Sequence, residues 1–282
     1  DYDIEGIHDD LRDISQAHQY NFFNPKTGIS YNPFKHHTAY FSFASANREP
    51  NRSNLRDADE DEVFTHEVLY DYEAGYKILL EKIALNLNLY YMDYKDQLIL
   101  TGELNDVGAY IMSNVPESYR AGIELSAGIQ LTDFLNWSLN AGFSRNKIKN
   151  LRVYVDNWDT WGQEEELYEE TDISFSPEAV AGSEFNLHLF KGFNASFMSK
   201  YVGKQYIDNT SSDERSLDAY FVNNLRLNYT FYTKKIKEIG LNIHINNLFN
   251  EEYETNAWVY RYYLGNEYFE MDWCIINIDR DC

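Results

Sequence analysis

The sequence predicts an all-β fold, an antiparallel transmembrane β-barrel of which this chain supplies a part. Three observations predict it. Apolar and polar residues alternate over long segments, short turns alternate with long loops, and no apolar run approaches the roughly 18 residues of a transmembrane helix. Barrel strands alternate between a lipid-facing and a lumen-facing residue, so they average to a polar composition. The mean hydropathy is indeed -0.56, although 44% of the 282 residues are hydrophobic.

Residues 119–146 carry the clearest alternation. Before a turn at 132–134, every second residue from Tyr119 onward is apolar or aromatic, and the residues between them are mostly polar or small. The pattern resumes after the turn. A period of two places successive side chains on opposite faces of a strand. The segment is therefore predicted to be an antiparallel hairpin with one apolar face and one polar face.

Similar alternation predicts about eleven strands, at 19–31, 37–47, 68–79, 83–98, 119–131, 135–146, 173–189, 193–206, 219–231, 239–249 and 267–278. The long loops are predicted at 1–17, 48–67, 101–117, 148–172, 208–218 and 250–265. Many of these strands are longer than the five or six residues common in soluble proteins. Short turns on one rim and long loops on the other are typical of outer-membrane barrels, with the turns periplasmic and the loops extracellular.

The polar face of these strands is rich in Asn, Ser and Gly, with single charges such as Arg120 and Glu184. Small and amide side chains suit a crowded, hydrated lumen. The alternation is equally compatible with a soluble β-sandwich. The alternative hypothesis is therefore a secreted or surface-anchored sandwich that binds glycans or proteins.

Charge and chemistry exclude several classes of function. The net charge of -22 argues against a nucleic-acid partner, because phosphate binding needs basic patches. The two cysteines, Cys274 and Cys282, form neither a disulfide framework nor a zinc motif. The adjacent His36 and His37 cannot readily share a metal ion, because neighbouring side chains on a strand point in opposite directions. No cofactor and no metal site are predicted.

No catalytic constellation is recognisable, so the chain is not predicted to be an enzyme. No serine lies in a nucleophile-elbow pattern and no glycine-rich phosphate loop is present. An outer-membrane enzyme would need a Ser/His pair at the rim, which the sequence does not supply. The acidic runs at 57–62 and 164–170 lack the spacing of a calcium loop. Solvated extracellular surface explains them better than cations bridging lipopolysaccharide.

Eight segments follow one another in a recognisable order: HHTAYFSFASANREPNR, LYDYEAGYK, LNLNLYYMDYKDQLIL, NVPESYRAGIELSAG, SFSPEAVAGSEFNLHLF, YVGKQYIDNT, LDAYFVNNLRLNYTF and INNLFNEEYE. Together they resemble the C-terminal half of the β-barrel of TonB-dependent outer-membrane receptors, especially those of Bacteroidetes-type bacteria. The most specific segment is the last, with Asn247, Leu248, Phe249 and Tyr253. The resemblance covers roughly residues 21–258.

The resemblance implies a place in the cell outer membrane of a Gram-negative bacterium. Large transporters of this type have about 22 strands around a plugged lumen, so residues 1–282 would be the C-terminal portion of the barrel domain, without the plug and the first barrel half. Such receptors import a bulky, scarce nutrient, most often a ferric siderophore; cobalamin, haem and glycans are other ligands. The implied partners are outer-membrane lipid and lipopolysaccharide, and the TonB energy-coupling complex acting through the plug.

The end of the chain departs from the family pattern. The resemblance implies a final strand with alternating aromatic residues and a terminal Phe that the barrel-assembly machinery recognises. Here residues 267–282 form an atypical terminal strand, because the chain ends in MDWCIINIDRDC. Asp279, Arg280 and Asp281 stand where that strand should finish.

The predicted long-loop side carries aromatic and arginine residues that could contact a ligand. Arginine can pair with the anionic groups of a chelate, and Trp or Tyr can stack on a flat surface. The alternative for each aromatic residue is a place in the girdle at the membrane edge. The candidates are Arg48, Arg52, Tyr110, Trp158, Trp161, Trp258, Tyr260 and Arg261.

Overall fold

The computed structural model describes residues 2–7, 13, 15–57, 64–104, 110–233 and 236–276. These residues form seventeen strands and one short helix, α1 (Arg52–Asp57). The strands are β1 (Tyr2–Ile4), β2 (Gln16–His18), β3 (Lys26–Tyr31), β4 (His37–Arg48), β5 (Glu67–Leu79), β6 (Ile83–Leu104), β7 (Tyr110–Gln130), β8 (Leu135–Asn157), β9 (Gly162–Asp172), β10 (Ala179–Phe190), β11 (Phe193–Val202), β12 (Gln205–Tyr206), β13 (Ser216–Leu217), β14 (Tyr220–Phe231), β15 (Ile239–Ile245), β16 (Glu254–Leu264) and β17 (Glu267–Ile276).

One sheet of thirteen strands dominates the structure. Ten of its strands follow in the order β15-β14-β11-β10-β8-β7-β6-β5-β4-β3, and every neighbouring pair along this path is antiparallel. We call these ten strands the barrel wall. The wall is open, because within the described residues β3 and β15 each pair on one side only. The predicted partial antiparallel barrel is confirmed.

Short turns join alternate pairs of wall strands at one rim, as predicted. They lie at 32–36, 80–82, 131–134 and 191–192, and a fifth connection joins the end of β14 to the start of β15. In the β10–β11 turn, Gly192 has a φ of +86°, and a Cβ atom there would lie 2.1 Å from the carbonyl oxygen of Thr230. Only glycine fits such a turn without a backbone shift. The longer connections lie at the opposite rim, and we refer to that side as the loop side.

In the part of the wall next to the short turns, burial is the reverse of that in a soluble protein. The apolar face is open, with Leu87, Leu89 and Phe143 all exposed, Phe143 by 60%. On the polar face, Asn88 is only 8% exposed, while other polar side chains such as Ser126 are open. A soluble sandwich packs its apolar faces together, so the β-sandwich alternative is wrong. An exposed apolar band of this extent is typical of the outer face of a transmembrane barrel.

Towards the loop side, the strands bury apolar side chains, as the strands of a soluble protein do. In β8 the exposed Phe143 is followed five residues later by Ile148, which is completely buried. Ile148 belongs to a small core with Val115, Leu151, Val153 and Ile173. Near this change, Tyr91 stacks on Tyr119 with ring centroids 6.0 Å apart. The change divides the long strands into a part with an open apolar face and a loop-side extension with its own small apolar core.

Three segments predicted as loops are largely strand, and those predictions were wrong. β6 continues to Leu104 and β7 begins at Tyr110, β8 and β9 form a hairpin over most of 148–172, and β16 occupies much of 250–265. Their polar composition suggested loops, but cross-strand ion pairs such as Arg152 with Glu165, 3.1 Å apart, support a hairpin in water. At Asn150, φ is 53° and the strict period of two is lost.

Smaller differences concern the two ends of the chain. The segments β1 and β2 lie within the predicted loop 1–17 or at its end, and α1 lies within the loop predicted at 48–67. The strand predicted from residue 19 begins only at Lys26. The strand predicted at 267–278 is present as β17, where it pairs with β16 and not with a wall strand. No helix in the described residues is long and apolar enough to cross a membrane.

Candidate functional site

The longer connections meet at a cleft on the loop side. Strands β8 and β16 run parallel but pair only at Asp156 with Tyr262 and at Asn157 with Tyr263. The backbone N–H of Trp158 also donates to the carbonyl oxygen of Tyr263, at 2.9 Å. Beside this junction a cleft of about 420 Å³ opens. The cleft is lined by the C-terminal ends of β6 and β8, by the connection between β9 and β10, by the segment after β12, and by β16.

An aromatic cluster forms one side of the junction. Trp158 stacks on Tyr262 with ring centroids 4.2 Å apart and planes 16° from parallel. The indole N–H of Trp158 donates to the hydroxyl of Tyr260 at 3.1 Å. The ring planes of Tyr260 and Trp258 are 4° from parallel, and their centroids lie 6.1 Å apart. Because residues 258, 260 and 262 alternate along β16, their rings lie on the same face of that strand.

Arg261 points to the other face of β16 and is engaged by carboxylates. Its Nη1 donates to Oε2 of Glu166 at 2.9 Å, and its Nε lies 3.9 Å from Oδ2 of Asp208. The side chain is only 9% exposed. Burial acts to lower the pKa of Arg261, but the hydrogen bond to Glu166 and the charge of Asp208 outweigh it, so the pKa is raised. Arg261 is therefore a cation fixed by acidic partners.

Arg215 is the centre of the same buried network, and the sequence analysis missed it. Its side chain is 8% exposed. The Nε atom donates to Asp208 at 2.8 Å, Nη1 to Glu270 at 2.9 Å, and Nη2 to Thr210 at 2.6 Å. Arg215 thus ties the connection between β12 and β13 to β17. The available signal was its isolation, because it is the one arginine in the acidic segment 208–218.

A tyrosine completes this network on β17. The hydroxyl of Tyr268 donates to Oε2 of Glu270 at 2.8 Å. Partial burial, with this hydrogen bond, raises the pKa of Tyr268 to about 12. The phenol therefore stays protonated at neutral pH. Glu270 receives two donors, from Arg215 and Tyr268, which stabilises its carboxylate.

The structure brings four of the eight sequence-predicted site residues together. Trp258, Tyr260 and Arg261 line the cleft, and Trp158 supports Tyr260 and Tyr262 from beside it. Cleft residues that the sequence analysis did not single out include Phe175. Nothing in the local sequence marks Phe175, because it reaches the cleft through the fold of the connection between β9 and β10.

The other four candidates lie elsewhere. Trp161 is 93% exposed at the tip of the β8–β9 hairpin. Arg48 ends β4 and pairs with Glu67 at 2.5 Å, and Arg52 is exposed at the start of α1. Tyr110 begins β7, but its side chain lies outside the described part of the structure. None of these side chains is among the described residues that line the cleft.

The segment around Asn247, singled out in the sequence, has a structural role. The backbone N–H of Asn247 donates to Oδ1 of Asn224, and its side chain exchanges two hydrogen bonds with the backbone of Glu251. Tyr253 then stacks on Tyr220 with ring centroids 4.3 Å apart. These contacts fasten the connection after β15 to β14. The φ of Asn247 is 48°, a value that asparagine tolerates better than most residues.

The family described as TonB dependent receptor-like, beta-barrel has a sequence model that matches residues 2–248. The chain belongs to the TonB-dependent receptor family. The match covers every wall strand, from β3 to β15. Among the described residues, no group of three or more His, Cys, Asp or Glu side chains is placed so that it could hold a metal ion.

Solved structures show the same fold in several receptors. The ferric-catecholate import receptor Fiu from Escherichia coli K12 has a TM-score of 0.64 at 16% identity, over 87% of this chain and 34% of that one. The ferric yersiniabactin uptake receptor FyuA from Yersinia pestis has a TM-score of 0.62 at 19% identity, over 88% of this chain and 34% of that one. The siderophore receptor PiuA from Acinetobacter baumannii has a TM-score of 0.66 at 17% identity, over 83% of this chain and 32% of that one. The chain spans about a third of each of these receptors.

Proposed function

We propose that the chain is part of an outer-membrane receptor of a Gram-negative bacterium that imports a ferric siderophore by TonB-coupled transport. The observation that carries this proposal is the family match over residues 2–248, on a sheet whose apolar face is open to its surroundings. The similar solved structures, described as receptors for iron–chelate ligands, support the ligand class. No bond is made or broken in such a transport step.

The proposed partners follow from the faces of the wall. Outer-membrane lipid covers the exposed apolar face, and lipopolysaccharide borders its loop-side edge. Residues 1–282 contribute the C-terminal portion of the barrel domain, and TonB acts through a plug that other parts of the receptor supply. The polar face, with side chains such as Arg226 paired to Glu184 at 3.1 Å, lines the lumen.

The cleft on the loop side is the proposed point of ligand contact for this part of the receptor. Its exposed Trp258 and the ring of Tyr260 offer flat apolar surfaces to a chelate. Trp158 holds Tyr260 in place through its indole N–H. A ligand-contacting role for Trp161, and for the candidates Arg48, Arg52 and Tyr110, stays a prediction.

Deleting the gene of the full-length receptor is expected to abolish uptake of one class of ferric siderophore under iron limitation. Uptake of chelates loaded with radioactive iron measures this in intact cells. A plasmid copy of the receptor should restore uptake, but not in a strain that lacks TonB. Unchanged iron uptake, together with lost growth on haem, cobalamin or a glycan, would contradict the siderophore assignment and identify another ligand.

Replacing Trp158 with Ala in the full-length receptor should weaken ligand binding by roughly 3- to 10-fold, the effect of losing one aromatic stacking partner. The change removes both the stack on Tyr262 and the hydrogen bond to Tyr260. Titration of the purified receptor, followed by calorimetry, measures the affinity. Trp161→Ala is the matched variant at the exposed hairpin tip. Unchanged affinity would remove the substituted Trp from the ligand-contact set.

A further inference from the structure

The charge of the cleft is the feature that the proposed function leaves unexplained. Three charged residues line it: Asp156, Asp208 and Arg261. Asp156 accepts hydrogen bonds from the hydroxyl of Tyr260 at 2.6 Å and from Gln163 at 2.8 Å. Both of these donors are neutral, so the negative charge of Asp156 is not cancelled by them.

The two arginines of the site do not offset the negative charge of the cleft. Arg261 is bound by Glu166 and faces Asp208, while Arg215 is bound by Asp208 and Glu270. Both guanidiniums are thus held between carboxylates and are almost fully covered. An anionic ligand group that approached Arg261 would have to compete with Glu166, which already forms a charge-assisted hydrogen bond at 2.9 Å.

The β9 strand beside the cleft increases the negative potential. Glu164, Glu165, Glu169 and Glu170 lie on this strand, and all four are exposed. One of them, Glu165, is paired with Arg152. A water-exposed set of like charges raises the local concentration of cations and lowers that of anions.

Resting on the proposed function, we infer that this cleft selects the charge of the ligand: it takes an uncharged or positively charged iron chelate, such as a ferric tris-hydroxamate, and disfavours a trianionic tris-catecholate. The aromatic rings supply contact area that is independent of charge. Asp156 supplies the attraction for a cation and the repulsion of an anion, because Asp208 is already paired with the buried Arg215 at 2.8 Å. The sequence-based expectation that Arg261 pairs with an anionic chelate is thereby replaced by a role inside the protein.

Three ferric chelates test the inference in the purified full-length receptor: a monocationic tris-hydroxamate, a neutral tris-hydroxamate and a trianionic tris-catecholate. Titration at low and at physiological salt gives the affinities. The trianion is expected to bind weaker than either hydroxamate by roughly tenfold or more, because like charges repel across the cleft. Tighter binding of the trianion would overturn the inference and leave the proposed function standing. Binding of none of the three would overturn both.

Asp156→Asn isolates the charge of the cleft with little change in side-chain shape. It is expected to weaken binding of the monocationic chelate by roughly 3- to 10-fold at low salt, and less at high salt, since screening shortens the range of the interaction. The neutral chelate should keep its affinity, which also shows that the cleft remains folded. The control is Glu81→Gln, which removes the same charge from an exposed site in the 80–82 turn, at the rim opposite the cleft. Equal losses for the two chelates, or no loss for either, would overturn the inference.

Discussion

Replacing Leu87 with Arg is expected to destabilise the membrane-inserted receptor by about 2–4 kcal/mol, the cost of an arginine at the bilayer midplane of a barrel. Leu87 lies on the exposed apolar face, midway between the 80–82 turn and the aromatic residue Tyr91. Its cross-strand neighbours are Tyr76 and Leu125, which offer no acidic partner. The guanidinium would therefore face lipid without a counter-ion.

The control lies at the same height on the opposite face. Ser126 follows Leu125, the cross-strand partner of Leu87, and its side chain is exposed on the polar face. Ser126→Arg should change the free energy of unfolding by less than about 1 kcal/mol, as for most exposed polar sites. Denaturant titration of the full-length receptor in lipid vesicles measures both variants. Equal losses would show that the two faces are wrongly assigned.

The strands of the wall could be predicted because their apolar and polar residues alternate with a strict period of two. In β7 and β8 the alternation, the short turn between them and their place in a series of hairpins predicted the strands and the common rim. What the period could not show was the partner of the apolar face. Lipid and a second sheet favour the same alternation, and the structure separates them by leaving Phe143 exposed while Asn88 on the polar face is covered.

The loop-side extensions of the strands were harder to predict, because there the apolar residues of the same strands are buried on the opposite face. β8 changes from apolar-out to apolar-in between Phe143 and Ile148, and at Asn150 the backbone leaves the regular β region. A single pattern therefore cannot describe the whole strand. Cross-strand partners such as Lys147 and Asp172, 2.7 Å apart, stabilise the β8–β9 hairpin but are distant in sequence.

The candidate site was only half predictable for a related reason. Residue type indicated that Trp258, Tyr260 and Arg261 could contact a ligand, and the fold does place them at one cleft. Residue type could not show that Arg261 is covered and held by Glu166. Nor could it show Arg215, whose three partners come from 208–210 and from β17. Both roles depend on the folding of three separate connections onto one another.

Replacing Arg215 with Met should loosen the loop side without unfolding the wall. The change leaves the carboxylates of Asp208 and Glu270 close together without the cation that joins them, and breaking such a buried pair costs about 3–5 kcal/mol. The loss should be local, because Arg215 contacts only loop-side segments. Hydrogen exchange of the full-length receptor should become roughly a hundredfold faster over 203–219 and in β16 and β17, with the wall strands unchanged.

Two further variants show whether the geometry of Arg215 or only its charge matters. Arg215→Lys keeps the charge but cannot reach Asp208, Glu270 and Thr210 at once, since those three partners use the forked donors of a guanidinium. It should therefore restore only part of the lost protection. Lys204→Met breaks the exposed pair with Asp213 and should leave the exchange of the loop side nearly unchanged, because water screens exposed ion pairs. If Lys204→Met loosened the loop side as much as Arg215→Met, the protection would come from surface charge and not from the buried network.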